Sequence, residues 1–240
     1  MPQFDVTLWH NIALLPAIGA GATVGAYVLA LRLHRWSGGH AILNPTLVAI
    51  VIVALAVKFS GLDYATYAQS ASVVTFALSP AVVLLAVPLF RQRQLVRASA
   101  RMIAAALTVG LPTGVVSAIG IAWLLNGNRV TLLSLAPKST TAGIAIGISE
   151  KIGGLPALTA VLVIMTGITG AVFGALAMRQ LGVRDSRAVG LAMGIASHGI
   201  GTSRALQIGE VAGAFAGLGM GLNGILTAIL LPIAATFWAP

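Results

Sequence analysis

The chain contains no cysteine, which excludes disulfides, thiolate nucleophiles and Cys-ligated metal. Acidic side chains are nearly as scarce: five Asp and Glu among 240 residues, against 14 Lys and Arg. Charged residues make up only 8% of the sequence and hydrophobic ones 58%, with a mean hydropathy of +0.98. A soluble domain of this length could not present a wettable surface with so few charges. His10, His34 and His40 fall near the ends of apolar runs without ligand spacing, so neither a metal nor a cofactor is expected.

What is present is a series of apolar runs close to the ~20 residues needed to cross a bilayer as helix. They predict an all-α polytopic bundle with spans at 11–31, 43–60, 71–90, 102–125, 156–178 and 214–237. Two segments, 130–154 and 188–212, are left over as broken or re-entrant helices. Trp9, Trp36, Trp123 and Trp238 all fall near predicted span ends, at the depth an amphipathic ring prefers. The lipid bilayer is therefore the first partner. The net charge of +9 does not indicate nucleic acid, because the arginines cluster at span ends, where they act as topology signals. The N-terminus lacks a basic n-region, and its first apolar run is long enough to remain as a span, so no cleaved signal peptide is expected.

Charge placement orders the topology. If 130–154 crosses once, Arg179, Arg184 and Arg187 fall opposite Arg91, Arg93, Arg97 and Arg101. If it enters and leaves on one side, all of these share a side with Arg32 and Arg35, and only Lys58 and Arg129 lie opposite. The cytoplasmic bias of basic residues prefers the re-entrant arrangement, with a second re-entrant segment at 188–212 and both termini outside. A faint repeat at a spacing of 60 pairs Ala136 with Ala196, Ala145 with Ala205, Ile148 with Ile208, Glu150 with Glu210, Gly153 with Gly213 and Leu158 with Leu218. Units of one hairpin plus one crossing helix would run in opposite directions, as in the inverted repeats of secondary transporters. Pro16, Pro80 and Pro112 inside spans, and the pairs Gly21/Gly25, Gly170/Gly174 and Gly217/Gly221, fit close helix packing; a homo-oligomer face is the alternative use of the glycines.

The two leftover segments hold the chemistry. Pro137-Lys138-Ser139-Thr140-Thr141 reads as the start of a half-helix whose N–H groups and Lys138 favour an anion, proline suiting the first helical turn. Ser197-His198-Gly199-Ile200-Gly201-Thr202-Ser203-Arg204 offers a matching set, with glycines for close approach and Arg204 able to grip a carboxylate in bidentate fashion. The expected binding residues are Lys138, Ser139, Thr140, Thr141, Ser197, His198, Gly199, Gly201, Thr202, Ser203, Arg204 and Asn223. His198, Glu150 and Glu210 are the candidates for proton or ion coupling. Structural readings compete throughout: Arg204 with Glu210, or Lys151 with Glu150, as neutralising pairs, and glycine and serine as helix-crossing residues. Asn44-Pro45 and Ser79-Pro80 read as helix breaks. An intramembrane hydrolase built on Ser197, His198 and Ser203 is disfavoured, since adjacent residues on a helix point apart and no nucleophile elbow is present; no enzyme activity is expected.

At these same residues the chain resembles the LrgB/CidB family. The resemblance rests on Asn44-Pro45, Ser79-Pro80 through Val87-Pro88-Leu89, Leu135 to Thr141, Ile148 to Ala160, Ala196 to Ala205, Gly209-Glu210 with Gly213 to Phe215, and Met220 to Ile225. Their order covers about 43–232, so the resemblance implies one LrgB-like integral membrane domain over 1–240. It implies a multi-pass protein of the bacterial inner membrane, and two roles. One is transport of small monocarboxylates such as pyruvate, glycolate, glycerate or lactate, as in the LrgB-like half of the plastid glycolate/glycerate translocator. The other is antiholin-like control of murein hydrolase export and lysis. A separate LrgA/CidA-like membrane partner is implied as well. The chain departs from the family pattern at Thr141-Ala142, where Thr-Pro is common, which loosens that half-helix start.

Overall fold

The computed structural model describes residues 16–39 and 43–237. Expectations resting on Trp9, His10, His40 and Trp238 lie outside them. The chain divides into two compact units between Leu84 and Leu85. The described residues form helices, with no strand among them.

In the first unit, α1 (Pro16–Trp36) and α2 (Pro45–Ser60) are followed by the short α3 (Tyr64–Ser70) and by α4 (Ser72–Leu84). Asn44 caps α2 by accepting from the Thr46 and Leu47 N–H groups, so Asn44-Pro45 is a helix start. Gly19 lets α1 close on the α3–α4 junction at Ser70 and Ala71, and Thr23 shares a 2.9 Å hydrogen bond with the Tyr67 hydroxyl.

The second unit contains α5 (Ala86–Arg91), α6 (Arg93–Ala98), α7 (Ala100–Leu124), α8 (Arg129–Leu135), α9 (Ala142–Ile152), α10 (Pro156–Gln180), α11 (Ser186–Ile208) and α12 (Glu210–Thr236). Among the described residues, four helices are long and apolar enough to cross a membrane: α1, α7, α10 and α12; α2 is apolar but shorter, at 16 residues. Their outer faces carry exposed Val109, Val116, Ile121, Val161, Ile164 and Phe173, which suits lipid and not water. The expected span 71–90 is not one helix: α4 ends at Leu84 and α5 starts at Ala86. Pro88 has no N–H to return to the Leu84 carbonyl, and its ring crowds that oxygen.

The segment α11 reverses on itself. Ser197 (φ −134°, ψ 18°) and His198 (φ 42°, ψ −136°) leave the helical region. A Cβ on Gly201 would stand 2.5 Å from the Met193 carbonyl oxygen. In a straight helix those residues, eight apart, would be separated by about 12 Å. Arm 186–196 therefore lies antiparallel to arm 199–208. The packing on α12 confirms it. On the first arm, Gly190 abuts Ala212 and Gly194 abuts Ala216, a parallel register, whereas on the second Leu206 meets Gly213 and Thr202 meets Met220, an antiparallel one. The expected re-entrant hairpin is thus present, and Val189, Met193, Ala205, Ala212 and Ala216 form its buried seam.

The first leftover segment is also a hairpin, entered from the opposite side. It leaves the end of α7 through Asn128, which caps α8, and returns through the left-handed Gly153. Its base is clamped to the start of α10: Ser134 Oγ accepts from the Leu155 N–H at 2.8 Å, and Thr159 Oγ1 donates to the Ser134 carbonyl at 3.0 Å. At the opposite end of the unit, Arg187 donates to Ser99 at 3.1 Å and joins the start of α11 to the start of α7. The two hairpins thus insert from opposite faces, each followed by a crossing helix, α10 or α12, of opposite direction. This is the inverted arrangement that the 60-residue spacing suggested.

Two outcomes test this topology. The chain has no native cysteine, so single-cysteine labelling is clean: Leu125→Cys and Lys151→Cys should react from one side of the membrane, Gln180→Cys and Gln207→Cys from the other. Gly194→Leu should lower the melting temperature in detergent by the equivalent of about 1–3 kcal/mol through overpacking on α12. Gly21→Leu, whose new side chain begins in open space, should leave it unchanged.

Candidate functional site

A cavity of about 460 Å³ lies inside the second unit. One end is formed by Met102 of α7, Met178 of α10, Val183, and Ala188 of α11; the other by Gly114, Lys138, Ser139, Thr140, Asn223 and Thr227. From Met102 to Gly114 it follows α7 for about 18 Å, roughly half a bilayer. Its walls are apolar, including Leu111, Leu191 and Ile195, and its polar groups gather at the deep end.

The depth of that end follows from the helices touching it. Asn223 is the fourteenth of the 27 residues of α12, and its Nδ2 donates to the Ser139 carbonyl at 3.2 Å. Gly114 is the fifteenth of the 25 residues of α7, and a Cβ there would stand 3.9 Å from Ser139 Oγ. The tip of the first hairpin therefore sits mid-membrane between α7 and α12. Tight turns hold it: the Lys138 N–H donates to the Leu135 carbonyl, and the Thr140 N–H and hydroxyl both donate to the Pro137 carbonyl. Helix α9 begins at Ala142, beyond Pro137 where the sequence placed the helix start, because these turns continue α8 before the chain turns back. Thr141 is its N-cap residue and makes no side-chain capping bond. Among the described residues, Lys138 is the one charged side chain lining the cavity, 3.4 Å from Ser139 Oγ, and no carboxylate lines it.

The second predicted group is placed differently. The tip of α11 packs against the middle of α10. The His198 ring bonds the Val163 carbonyl at 2.9 Å through Nε2, Gly167 leaves room for that ring, and Gly170 leaves room for Ser197 Oγ. Thr202 donates to the His198 carbonyl at 2.8 Å, and Gly201 packs on Met193. Half-buried Arg204 donates to Gln207, with Ser203 beside it; Gly199 faces Met220. None of the residues from Ser197 to Arg204 lines the cavity; the second hairpin contributes Ala192, Ile195 and Ala196 instead. Glu150 is exposed at the outer end of α9 and Glu210 at the start of α12, where it pairs with Arg91 at 3.9 Å and not with Arg204. Of the predicted binding residues, the cavity brings together Lys138, Ser139, Thr140 and Asn223.

Residues that sequence reasoning passed over complete the lining. Gly110 and Gly114 flank Pro112 in α7, a small-residue pair of the kind noticed elsewhere, and Thr227 follows Asn223 by one turn. At the cavity's outer rim, hydrogen bonds from the Arg187 guanidinium and then from its backbone N–H hold the Asp185 carboxyl down to about 2 from an ordinary 3.8. A depressed carboxyl stabilises the fold above its unfolded value, so this rim clasp is complete above pH 3.8 and is lost as pH falls through about 2.

The geometry defines a multi-pass α-helical membrane protein with two opposed re-entrant hairpins around a mid-depth cationic cavity. The family model described as the LrgB-like family matches residues 23–237, and the chain belongs to that family. It is 29% identical over 192 residues to the holin-like protein CidB of Staphylococcus epidermidis, covering 80% of this chain and 84% of that one. It is 33% identical over 211 residues to the uncharacterized protein YxaC of Bacillus subtilis, covering 88% and 91%. To the antiholin-like protein LrgB of Bacillus mycoides it is 29% identical over 224 residues, covering 93% and 97%. No solved structure matches the chain.

Loss of the second hairpin's anchor is measurable. His198→Ala removes the ring bond and leaves the Val163 carbonyl without it, which should lower stability by about 1–3 kcal/mol in thermal unfolding, with a smaller change for Arg204→Ala.

Proposed function

We propose that the second unit binds and passes small organic monoanions, the monocarboxylates pyruvate, glycolate, glycerate and lactate being the first to test. One observation carries the reading: among the described residues lining the cavity, Lys138 is the single cation, at mid-depth amid hydroxyl and amide groups, with no carboxylate beside it. A charge held in low dielectric without a fixed counter-charge is costly, and a bound anion offsets that cost. The Ser139 hydroxyl and the second Nδ2 hydrogen of Asn223 can donate to a carboxylate, while Thr140, whose hydroxyl proton goes to Pro137, offers its oxygen to an adjacent hydroxyl. The apolar walls accommodate the carbon chain, and one cation suits one negative charge. Coupling to a proton or ion through His198, Glu150 or Glu210 belongs to this reading as well.

The names of the relatives favour a second reading more directly: an antiholin-like regulator of murein hydrolase export and lysis in the bacterial inner membrane. A smaller LrgA/CidA-like membrane protein is the proposed partner in either case, and a homo-oligomer is proposed beside it. Under regulation alone, the cavity cation serves no purpose.

Uptake of labelled acids into proteoliposomes separates the two. Lys138→Gln should reduce monocarboxylate flux by about tenfold to a hundredfold, the value of one charge-assisted hydrogen bond, while the protein still folds and inserts. Lack of flux with every acid, with or without a pH gradient, rejects transport. Altered lysis in a Lys138→Gln strain with normal acid uptake supports regulation.

A further inference from the structure

The rim of the cavity carries charge that topology alone does not explain. Each residue forming the outer end has an arginine next to it in sequence: Met102 follows Arg101, Met178 precedes Arg179, Val183 precedes Arg184, and Ala188 follows Arg187. Arg187 is engaged by Asp185 at 2.5 Å. Arg101, Arg179 and Arg184 are exposed and have no acidic partner among the described residues. The other acids of this unit are committed or remote, Glu210 on Arg91 and Glu150 at the opposite end. The cytoplasmic bias of basic residues asks only that arginines lie on this side. It does not ask that an arginine adjoin in sequence every residue that forms this end of an apolar-walled cavity. Low-dielectric walls below such a rim focus its field into the cavity and raise the local anion concentration.

We propose that Arg101, Arg179 and Arg184 form a capture vestibule that concentrates small anions at the basic end of the cavity and delivers them to Lys138. The three arginines are positioning residues: they act on the encounter, and Lys138 holds the anion. This inference rests on the anion-passage reading, and it makes the basic face the high-affinity entrance.

A fluorophore on Val183→Cys reports the vestibule without reference to transport. In phosphatidylcholine nanodiscs at low salt, iodide should quench it more efficiently, relative to neutral acrylamide, than it quenches the same fluorophore on Leu125→Cys. The triple variant Arg101→Gln, Arg179→Gln, Arg184→Gln should lower that ratio by about threefold or more, and the difference should vanish near 1 M salt, where the Debye length is about 3 Å. In proteoliposomes the triple variant should raise the KM for pyruvate entering from the basic face by about tenfold and leave the maximal rate intact. An unchanged quenching ratio overturns the vestibule, whatever the flux. An anion excess lost when anionic lipid is added also overturns it, assigning the arginines to lipid headgroups. Equal KM changes from both faces, or inverted labelling of Gln180→Cys, reduce the arginines to topology signals. Quenching as expected in a protein with no acid flux keeps the anion-rich rim but rejects delivery to Lys138, and the transport reading with it.

Discussion

A polypeptide that turns back inside a membrane must satisfy its backbone within the protein, because lipid offers no hydrogen bonds. The second unit depends on how two hairpins meet that demand. At one tip the His198 ring reaches the Val163 carbonyl of α10; at the other the Asn223 amide of α12 reaches the Ser139 carbonyl. Asn223 lies at the middle of α12, and Gly167 and Gly170, which receive His198 and Ser197, lie at the middle of α10, so each hairpin is halted at mid-depth. With both tips held there, the space between α7, the first hairpin, the first arm of α11 and α12 becomes a cavity reaching from one face to the centre.

Small residues make the halt possible. Gly190 and Gly194 bring the first arm of α11 onto the α12 backbone, and Gly167 and Gly170 open α10 for His198 and Ser197. Without a hydrophobic drive between helices in lipid, such close packing and the few buried hydrogen bonds supply most of the association. The residue at the reversal illustrates the trade. His198 has φ 42°, a conformation that costs a non-glycine residue about 1–3 kcal/mol. Glycine would adopt it freely but would lose the ring nitrogen that bonds the Val163 carbonyl of α10.

Much of this was legible in the sequence, for identifiable reasons. Scarcity of charge and the long apolar runs made the chain an α-helical membrane protein, and arginine placement made both polar segments re-entrant from opposite sides. Boundaries were less legible where proline acts locally: Pro88 interrupts the run at 71–90, and Pro137 sits in a turn before α9 instead of opening it. The cavity lining was half visible. Lys138, Ser139, Thr140 and Asn223 stand out as polar residues in oily surroundings, whereas Gly110 and Gly114 are indistinguishable by type from glycines that only pack. The division between Leu84 and Leu85 leaves no mark in composition at all.

The weak repeat explains why the two polar segments, so alike in composition, have different fates. Ala136 and Ala196 both precede a tip, and Ala145 and Ala205 are both fully buried on the returning arm. Between them the first hairpin spends residues 136–141 on successive turns, which leaves Lys138, Ser139 and Thr140 facing the cavity. The second reverses within Ser197 and His198, which pack on α10, while Thr202 and Arg204 bond within the same hairpin, to the His198 carbonyl and to Gln207. A polar motif inside a membrane therefore marks a place where the helix stops. How many of its polar residues reach the cavity depends on the length of the turn, and here the longer turn places Lys138, Ser139 and Thr140 there.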